Sequence, residues 1–166
     1  MSTRGRAAIH ALRFVFKLDE ANTQTTLDEQ EAIKKYSRGK ERAVEIGVYE
    51  GVNTRLIAEA IHEAAALYAI DPFPSGLLPI SWCEQVARHN VRLSKASKKV
   101  YFVKAMSWQA CTDIDGNFDF VFIDGDHSLE GIKRDWSDWS GRIRSGGIIA
   151  LHDTEIPPHD LSVKDL

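Results

Sequence analysis

Acidic and imidazole side chains stand at the ends of several short apolar segments in this sequence. Glu45 lies within the first segment, Asp71 and Asp124 directly follow two later ones, and His152 and Asp153 follow the last. In open parallel sheets, ligands bind beyond the carboxyl ends of the strands. If the apolar segments are strands of one such sheet, these side chains share one rim, and that rim is an active site.

A turn with two glycines follows the first segment. Gly47 and Gly51 let the backbone approach a ligand closely, and Tyr49 between them is a candidate ligand contact. The turn lacks the GxGxxG pattern with which dinucleotide binders hold a pyrophosphate at a helix N-terminus. Acidic residues flank it instead, which suits a cationic ligand that carries an amino group or a sulfonium. A plain tight turn explains the same residues equally well.

Three further residues are candidates for contacts to a nucleoside. Asp71, about 20 residues beyond the first turn, is placed to accept hydrogen bonds from ribose hydroxyls, with capping of the Pro72–Phe73 turn as the alternative. Phe73 is expected to lie against an adenine ring, with core packing as the alternative. Ser107 is expected to contact the adenine edge, with capping of the next helix as the alternative.

The elements that position these residues alternate between strand-like and helix-like segments. Continuous apolar runs, typical of parallel strands covered on both faces, predict strands over residues 43–46, 67–70, 100–103, 118–123 and 148–151. A capping box of Thr26 with Glu29 opens one helix. Further helices are predicted over 53–62, from Trp82 onward and over 129–143, with Gly146 and Gly147 as a break before the last strand. Right-handed strand–helix–strand crossovers then give a doubly wound, mostly parallel Rossmann-like α/β sheet.

Bulk composition narrows the class of protein. The 166 residues suffice for one domain, and the net charge of −3 argues against a nucleic-acid partner. Two cysteines without zinc spacing favour a reducing, cytoplasmic setting. No apolar run approaches the roughly 20 residues that cross a bilayer. The basic segment before Asp19 is interpreted as a self-packing helix, or alternatively as an amphipathic arm for a membrane surface or a partner.

Three segments resemble one protein family. Residues 44–51 resemble motif I of class I S-adenosylmethionine (SAM)-dependent methyltransferases. Residues 122–136, which contain Asp-Gly-Asp-His, and residues 146–154 resemble one branch of that superfamily. The branch includes metal-dependent macrolide-sugar O-methyltransferases and a cephalosporin-hydroxylase-like group. Asp-Gly-Asp-His is the specific part of the resemblance, and motif I by itself is weak.

The resemblance implies how the cofactor is held. Glu45, Gly47 and Gly51 would line the methionine end of SAM, and Asp71 would hold the ribose. Asp124 is expected to contact the cofactor and also to bind a metal ion. The resemblance also implies a strand order of 3-2-1-4-5, in which the fourth and fifth strands are neighbours.

The resemblance further implies a divalent metal on Asp124 and Asp153, with His127 as the general base. Adjacent strands lie about 4.8 Å apart, so the two carboxylates can converge on one cation. Such ligands suit Mg²⁺, with Mn²⁺ as the second choice. The His127 imidazole can take a proton from the acceptor hydroxyl at neutral pH, and a structural loop histidine is the alternative. His152 stands where relatives usually have an acid; as a ligand it shifts the preference towards Mn, Fe or Zn.

The resemblance implies two more strands after the fifth, and the sequence after residue 151 contains no pattern for them. The fifth strand would then be an exposed edge, which either a second subunit covers or a longer chain completes. The chain is divided into a basic arm and helix over 1–38, a SAM-binding domain over 39–155 and a tail over 156–166.

These observations predict a SAM-dependent methyltransferase that acts on an oxygen of a small hydroxylated molecule with the help of a divalent metal. The alternative is a non-catalytic Rossmann-like module that binds a nucleoside or another chain. An NAD-type oxidoreductase is disfavoured by the absent GxGxxG. The sequence does not specify the acceptor.

Overall fold

The computed structural model describes residues 3–75 and 79–153, so the tail predicted over 156–166 lies outside it. The helices are α1 Thr3–Val15, α2 Leu27–Ser37, α3 Val52–Ala60, α4 Trp82–Arg92, α5 Ser107–Asp113 and α6 Leu129–Trp139. The strands are β1 Arg42–Ile46, β2 Ala66–Ile70, β3 Val100–Val103, β4 Phe118–Ile123 and β5 Ile143–Leu151.

The five strands form one parallel sheet in the order β3-β2-β1-β4-β5, which confirms the predicted topology. The register pairs Ile46 at the end of β1 with Ile70 of β2 on one side and with Ile123 of β4 on the other. The carboxyl ends of these three strands therefore lie level with one another, and the residues that follow them share one rim.

Successive residues of each strand point to opposite faces of the sheet. Because these residues are apolar on both faces, helices cover both faces. On one face, Ala43 of β1 and Phe120 of β4 pack against Ile57 of α3. On the other face, Val44 of β1 packs in a second cluster with Trp139 of α6. Burial on both faces explains why the strands are apolar without alternation.

The boundary between α6 and β5 differs from the prediction. The α-helix ends at Trp139, a turn of 3-10 helix over Ser140–Arg142 continues it, and β5 begins at Ile143. Gly146 and Gly147 lie within the strand, in an irregular stretch that shifts the β4–β5 register. Gly146 has φ +78°, and a Cβ on Gly147 would lie 2.7 Å from the Ile143 side chain, so both glycines permit this bulge.

The N-terminal segment packs on the domain. Ala11 and Phe14 of α1 are buried with Val86 of α4. The predicted capping box at the start of α2 is present: Thr26 Oγ1 accepts from the Glu29 amide at 3.3 Å, and Glu29 Oε2 accepts from the Thr26 amide at 2.6 Å. Among the described residues, no helix is long and apolar enough to cross a membrane.

The amino-terminal rim of the sheet is held by Asp119 of β4, which is buried. Its carboxylate accepts from the amides of Glu41 at 2.8 Å and Arg42 at 2.9 Å, and from the Arg144 guanidinium at 2.7 Å. Asp119 thus joins the start of β1 to β4 and β5.

We predict that Asp119→Ala lowers the free energy of unfolding by about 2–4 kcal/mol, because two backbone amides lose their acceptor. Chemical denaturation measures the change, with the exposed Glu63→Ala as the control. A loss no larger than that of the control would contradict this role for Asp119.

Candidate active site

A cavity of about 770 Å³ opens at the carboxyl ends of β1, β2 and β4. Six of the predicted site residues line it: Gly47, Tyr49, Asp71, Ser107, Asp124 and His127. Three others, Glu45, Gly51 and Phe73, do not belong to its lining, and neither do His152 and Asp153. The predicted rim therefore exists, with a lining that differs in part from the expected one.

Backbone hydrogen bonds extend the sheet one residue beyond its strands. The amide of Gly47 donates to the Ile70 carbonyl at 2.9 Å, and the amide of Asp124 donates to the Ile46 carbonyl at 2.8 Å. In the same way, the amide of Asp71 donates to the carbonyl of Val103, the last residue of β3, at 3.1 Å. The rim residues are therefore fixed by the sheet itself.

Gly47 is needed because the first turn touches the loop after β4. It has φ +87°, and a Cβ there would lie 2.0 Å from the carbonyl oxygen of Asp124. Gly51 also has a positive φ, and its hypothetical Cβ would lie 3.0 Å from Ala87 of α4. Gly47 therefore serves the contact between two parts of the rim, whereas Gly51 serves helix packing beneath it.

Asp71 holds the first turn in place. One of its carboxylate oxygens accepts from the amides of Val48 at 3.0 Å and Tyr49 at 3.1 Å, and the other accepts from the Phe73 amide at 2.7 Å. A carboxylate offers about four lone-pair positions, so one remains for a ligand. The predicted ribose acceptor therefore also shapes the turn.

Tyr49 and Cys83 form an adjoining part of the cavity wall. Tyr49 has φ +51°, and its carbonyl accepts from the Cys83 thiol at 2.8 Å. Burial raises the pKa of Cys83 to about 12. This thiol stays protonated at neutral pH and is no nucleophile.

Glu45 lies beneath the cavity. Its side chain is fully buried, and neither carboxyl oxygen hydrogen-bonds to a described residue. Burial raises the pKa of Glu45 well above its ordinary value, and the charges of Asp124 and Asp71 add to the increase. Glu45 thus lies beneath the residues that line the cavity, and its role at the methionine end of a cofactor stays a prediction.

The position of Phe73 agrees with the core-packing alternative. The ring is 1% exposed and packs with Val48, Ala69 and Ala87, 6.3 Å from the ring of Phe102. This burial leaves no face open to an adenine, so the expected adenine contact is corrected.

Ser107 lies in the cavity wall as the first residue of α5, but it is not the capping residue, which is Met106. Its hydroxyl donates to the carboxylate of Asp135 in α6. Met106 and Trp108 on either side of it are part of the lining, and the guanidinium of Arg134 lies 4.6 Å from the centre of the Trp108 ring. Met106 and Trp108 thus provide apolar and aromatic surface next to Ser107, although the sequence motifs did not indicate them.

A wall from the segment between α1 and α2 closes another side of the cavity. Asn22, Thr23 and Gln24 line it. The buried carboxylate of Glu50 accepts from the Asn22 amide at 2.5 Å and lies 3.0 Å from Nε2 of His10. No sequence pattern indicates this wall, because it depends on contacts between residues far apart in the chain.

Asp124, His127 and His152 form a cluster at the ends of β4 and β5. One donor atom from each residue lies within 4.8 Å of the other two. Oδ1 of Asp124 lies 3.0 Å from Nδ1 of His152 and 4.0 Å from Nε2 of His127. Burial raises the pKa of Asp124, and the two neighbouring imidazoles counteract this effect.

Asp153 lies beside this cluster with a side chain that is 57% exposed. Its Oδ2 is 3.0 Å from Nδ1 of His127, and its Oδ1 is 3.3 Å from Nδ1 of His152. The predicted metal set was Asp124, His152 and Asp153, with His127 as a base. The group whose geometry suits an ion contains His127 in place of Asp153.

The cluster fits a divalent cation in one respect that can be read from its atoms. Oδ1 of Asp124 and Nδ1 of His152 are both buried, and neither makes a hydrogen bond to a described residue. The two atoms lie 3.0 Å apart as an ion pair that lacks hydrogen-bond geometry, and both are atoms that bind metal ions. A cation would satisfy both.

The comparisons with known proteins agree with this architecture. A family model described as a methyltransferase domain matches residues 44–154. The "Uncharacterized protein y4gI" of Sinorhizobium fredii is 26% identical over 133 residues. The match covers 74% of this chain but 14% of that protein, so the chain spans about a seventh of the curated relative's length.

Solved structures share the fold. An O-methyltransferase from Bacillus cereus in complex with SAH has a TM-score of 0.65 at 16% identity, over 90% of this chain and 64% of that one. The O-methyltransferase TomG from Streptomyces achromogenes, involved in tomaymycin synthesis and in complex with SAM, has a TM-score of 0.67 at 16% identity, over 91% and 65%. At this identity the likeness establishes the fold alone.

We predict that Gly47→Ala lowers the free energy of unfolding by about 2 kcal/mol more than Gly39→Ala does, because overpacking adds to the strain. Gly39 is a matched control, since it also has a positive φ, +71°, but nothing lies within 4 Å of its hypothetical Cβ. Denaturant unfolding of both variants measures the difference. Equal losses would show that the close approach to Asp124 is not needed.

Proposed function

Because the chain belongs to the methyltransferase-domain family, we propose that it is a SAM-dependent methyltransferase that methylates an oxygen of a small hydroxylated acceptor. The observation that carries this proposal is one cavity lined by the first turn, by Asp71 and by the Asp124–His127 loop. Structural neighbours in complex with SAM or SAH support SAM as the ligand.

The cofactor is proposed to lie across the ends of β1 and β2. Asp71 would accept hydrogen bonds from the ribose with the lone pair that the turn leaves free. The adenine would lie near Ser107 against Met106 and Trp108, which take the place expected for Phe73. The methionine end would lie along the backbone of Gly47 and Tyr49.

The charge of the cavity supports a sulfonium ligand. Five acidic residues line it, Asp71, Asp124, Asp126, Glu130 and Asp135. His127 and Arg134 are the basic residues of that lining. A cation in such a cleft is stabilised by the surrounding carboxylates, whereas a pyrophosphate would be repelled.

The reaction is a displacement at the methyl carbon. A lone pair of the acceptor oxygen forms the new C–O bond while the C–S bond breaks, and its electrons leave on sulfur as the neutral thioether of S-adenosylhomocysteine (SAH). The acceptor hydroxyl loses its proton. In the metal-free protein we assign that proton to Nε2 of His127.

The surroundings of His127 support this assignment. Its Nδ1 lies 3.0 Å from Asp153, so the proton of the neutral ring is favoured on Nδ1. The Nε2 lone pair is then free on the side of Asp124, next to the cavity. Asp153 would act as a positioning residue, since it orients the imidazole.

The divalent metal remains part of the proposal. Asp124 would bind it through Oδ1 and His152 through Nδ1, two buried atoms without a hydrogen bond to a described residue. Asp153 lies close enough to become a third ligand. When bound, such a cation lowers the pKa of a hydroxyl that it contacts. The non-catalytic nucleoside-binding module stays the second candidate.

We predict that SAM and SAH bind to the chain in calorimetry, that NAD does not, and that Asp71→Ala weakens SAM binding about 10- to 100-fold. The estimate corresponds to loss of a charged hydrogen bond together with the support of the turn. Asp113→Ala, at the exposed end of α5, is the control and should bind SAM as the wild type does. Binding of NAD without SAM would refute the proposed function.

We predict that His127→Gln lowers the rate of methyl transfer about 100- to 10,000-fold, as expected for loss of a general base. The readout is SAH formation by chelator-treated protein with a panel of sugars and phenols. His62→Gln changes an exposed histidine and should leave the rate unaltered. An active His127→Gln variant would disprove the base. No SAH with any acceptor, despite SAM binding and also after Mg²⁺, Mn²⁺ or Zn²⁺ is added back, would favour the binding module.

A further inference from the structure

Each imidazole of the Asp124–His127–His152 cluster has a carboxylate on the side that faces away from the cluster. Nδ1 of His127 lies 3.0 Å from Asp153, and Nε2 of His152 lies 3.5 Å from Oε1 of Glu29 in α2. A carboxylate in this place can accept the N–H of the nitrogen next to it when the other nitrogen of the ring binds a metal ion. The other nitrogens are Nε2 of His127 and Nδ1 of His152. Nδ1 of His152 lies 3.0 Å from Asp124 and 3.3 Å from Asp153, so a metal ion bound there displaces the proton that these carboxylates favour.

These two nitrogens face the same oxygen. Oδ1 of Asp124 lies 3.0 Å from Nδ1 of His152 and 4.0 Å from Nε2 of His127. The side chains of Asp124 and His152 are 12% and 7% exposed, so this part of the cluster is shielded from water. Two nitrogen atoms and one oxygen atom that can each bind a metal ion thus lie within 4.8 Å of one another.

We propose that Asp124, His127 and His152 are the three protein ligands of a site for a transition-metal ion of the Zn²⁺ or Co²⁺ type. We also propose that this site binds Mg²⁺ only weakly. Mg²⁺ requires oxygen ligands in a nearly ideal octahedron, whereas imidazole suits Zn²⁺, Co²⁺ and Fe²⁺. Metal-bound histidines usually carry a carboxylate or carbonyl on their second nitrogen, which is the arrangement that Asp153 and Glu29 provide. Three protein ligands leave an open position, as in catalytic zinc sites.

The site gives His127 two roles that exclude each other. The Nε2 lone pair that accepts a proton in the metal-free protein is the one that binds the ion, so His127 is a base only while the site is empty. This consequence rests on the proposed function. The metal site itself does not, because it follows from the positions of three side chains.

The experiment is a titration of the chelator-treated full chain with Co²⁺, in which the visible absorption of the bound ion is measured after each addition. A band typical of nitrogen ligation should appear at one equivalent, Zn²⁺ should displace it, and Mg²⁺ at a hundredfold excess should leave it unchanged. His127→Ala and His152→Asn should each weaken Co²⁺ binding about tenfold or more. The exposed His62→Ala should bind Co²⁺ as the wild type does.

Each result decides the proposal. Co²⁺ binding that both cluster variants retain, or a band that Mg²⁺ abolishes, would overturn it. If His152→Asn does not fold, as judged by its circular dichroism, His127→Ala on the exposed loop decides alone. SAM calorimetry on the same samples separates the two proposals, because SAM binding without a Co²⁺ band refutes the metal site only.

Discussion

The rim of the sheet depends on backbone hydrogen bonds that continue one residue past the strands. The amides of Gly47, Asp71, Asp124 and His152 each donate to the carbonyl of the last residue in a neighbouring strand, at 2.8–3.1 Å. These bonds have the same origin as the sheet, so the residues that follow the strands share its rigidity. Residues that come from four separate segments of the sequence are thereby held at one edge by the sheet itself.

These backbone hydrogen bonds also explain why one position at the rim cannot carry a side chain. With the amides of Gly47 and Asp124 both bound to the sheet, the two loops pass so closely that a Cβ on Gly47 would lie 2.0 Å from the Asp124 carbonyl oxygen. The contact joins the turn proposed to hold the cofactor to the loop that carries Asp124 and His127. In the proposed function, backbone geometry would therefore set the distance between the methyl donor and the groups on that loop.

The fold was predictable because parallel strands buried on both faces have a plain sequence pattern. Runs such as Phe118–Ile123 are buried at every position, and the charged residues that follow them had to lie at the carboxyl edge. The start of β5 was not predictable, because a bulge that contains two glycines resembles a helix break. Turn residues alone do not distinguish a loop from an irregular strand.

Within the site, predictability ended where a side chain's direction depends on tertiary packing. Phe73 follows a strand as Asp71 does, yet its ring turns into the core beneath α4. The wall from Asn22 to Gln24 depends on the buried carboxylate of Glu50, 28 residues from Asn22. The exchange of Asp153 for His127 in the group that suits a metal follows from loop geometry, which residue spacing does not specify.

The polar groups of the two rims differ in a way that separates stability from function. At the amino-terminal rim, the carboxylate of Asp119 has three donors and ties strands together. At the carboxyl rim, Oδ1 of Asp124 and Nδ1 of His152 are buried without a hydrogen bond to a described residue, although they lie 3.0 Å apart as an ion pair. Burying a polar group without a hydrogen bond costs about 1–3 kcal/mol. In the proposed function, a bound metal ion would offset this cost, whereas Asp119 needs no partner from outside the chain.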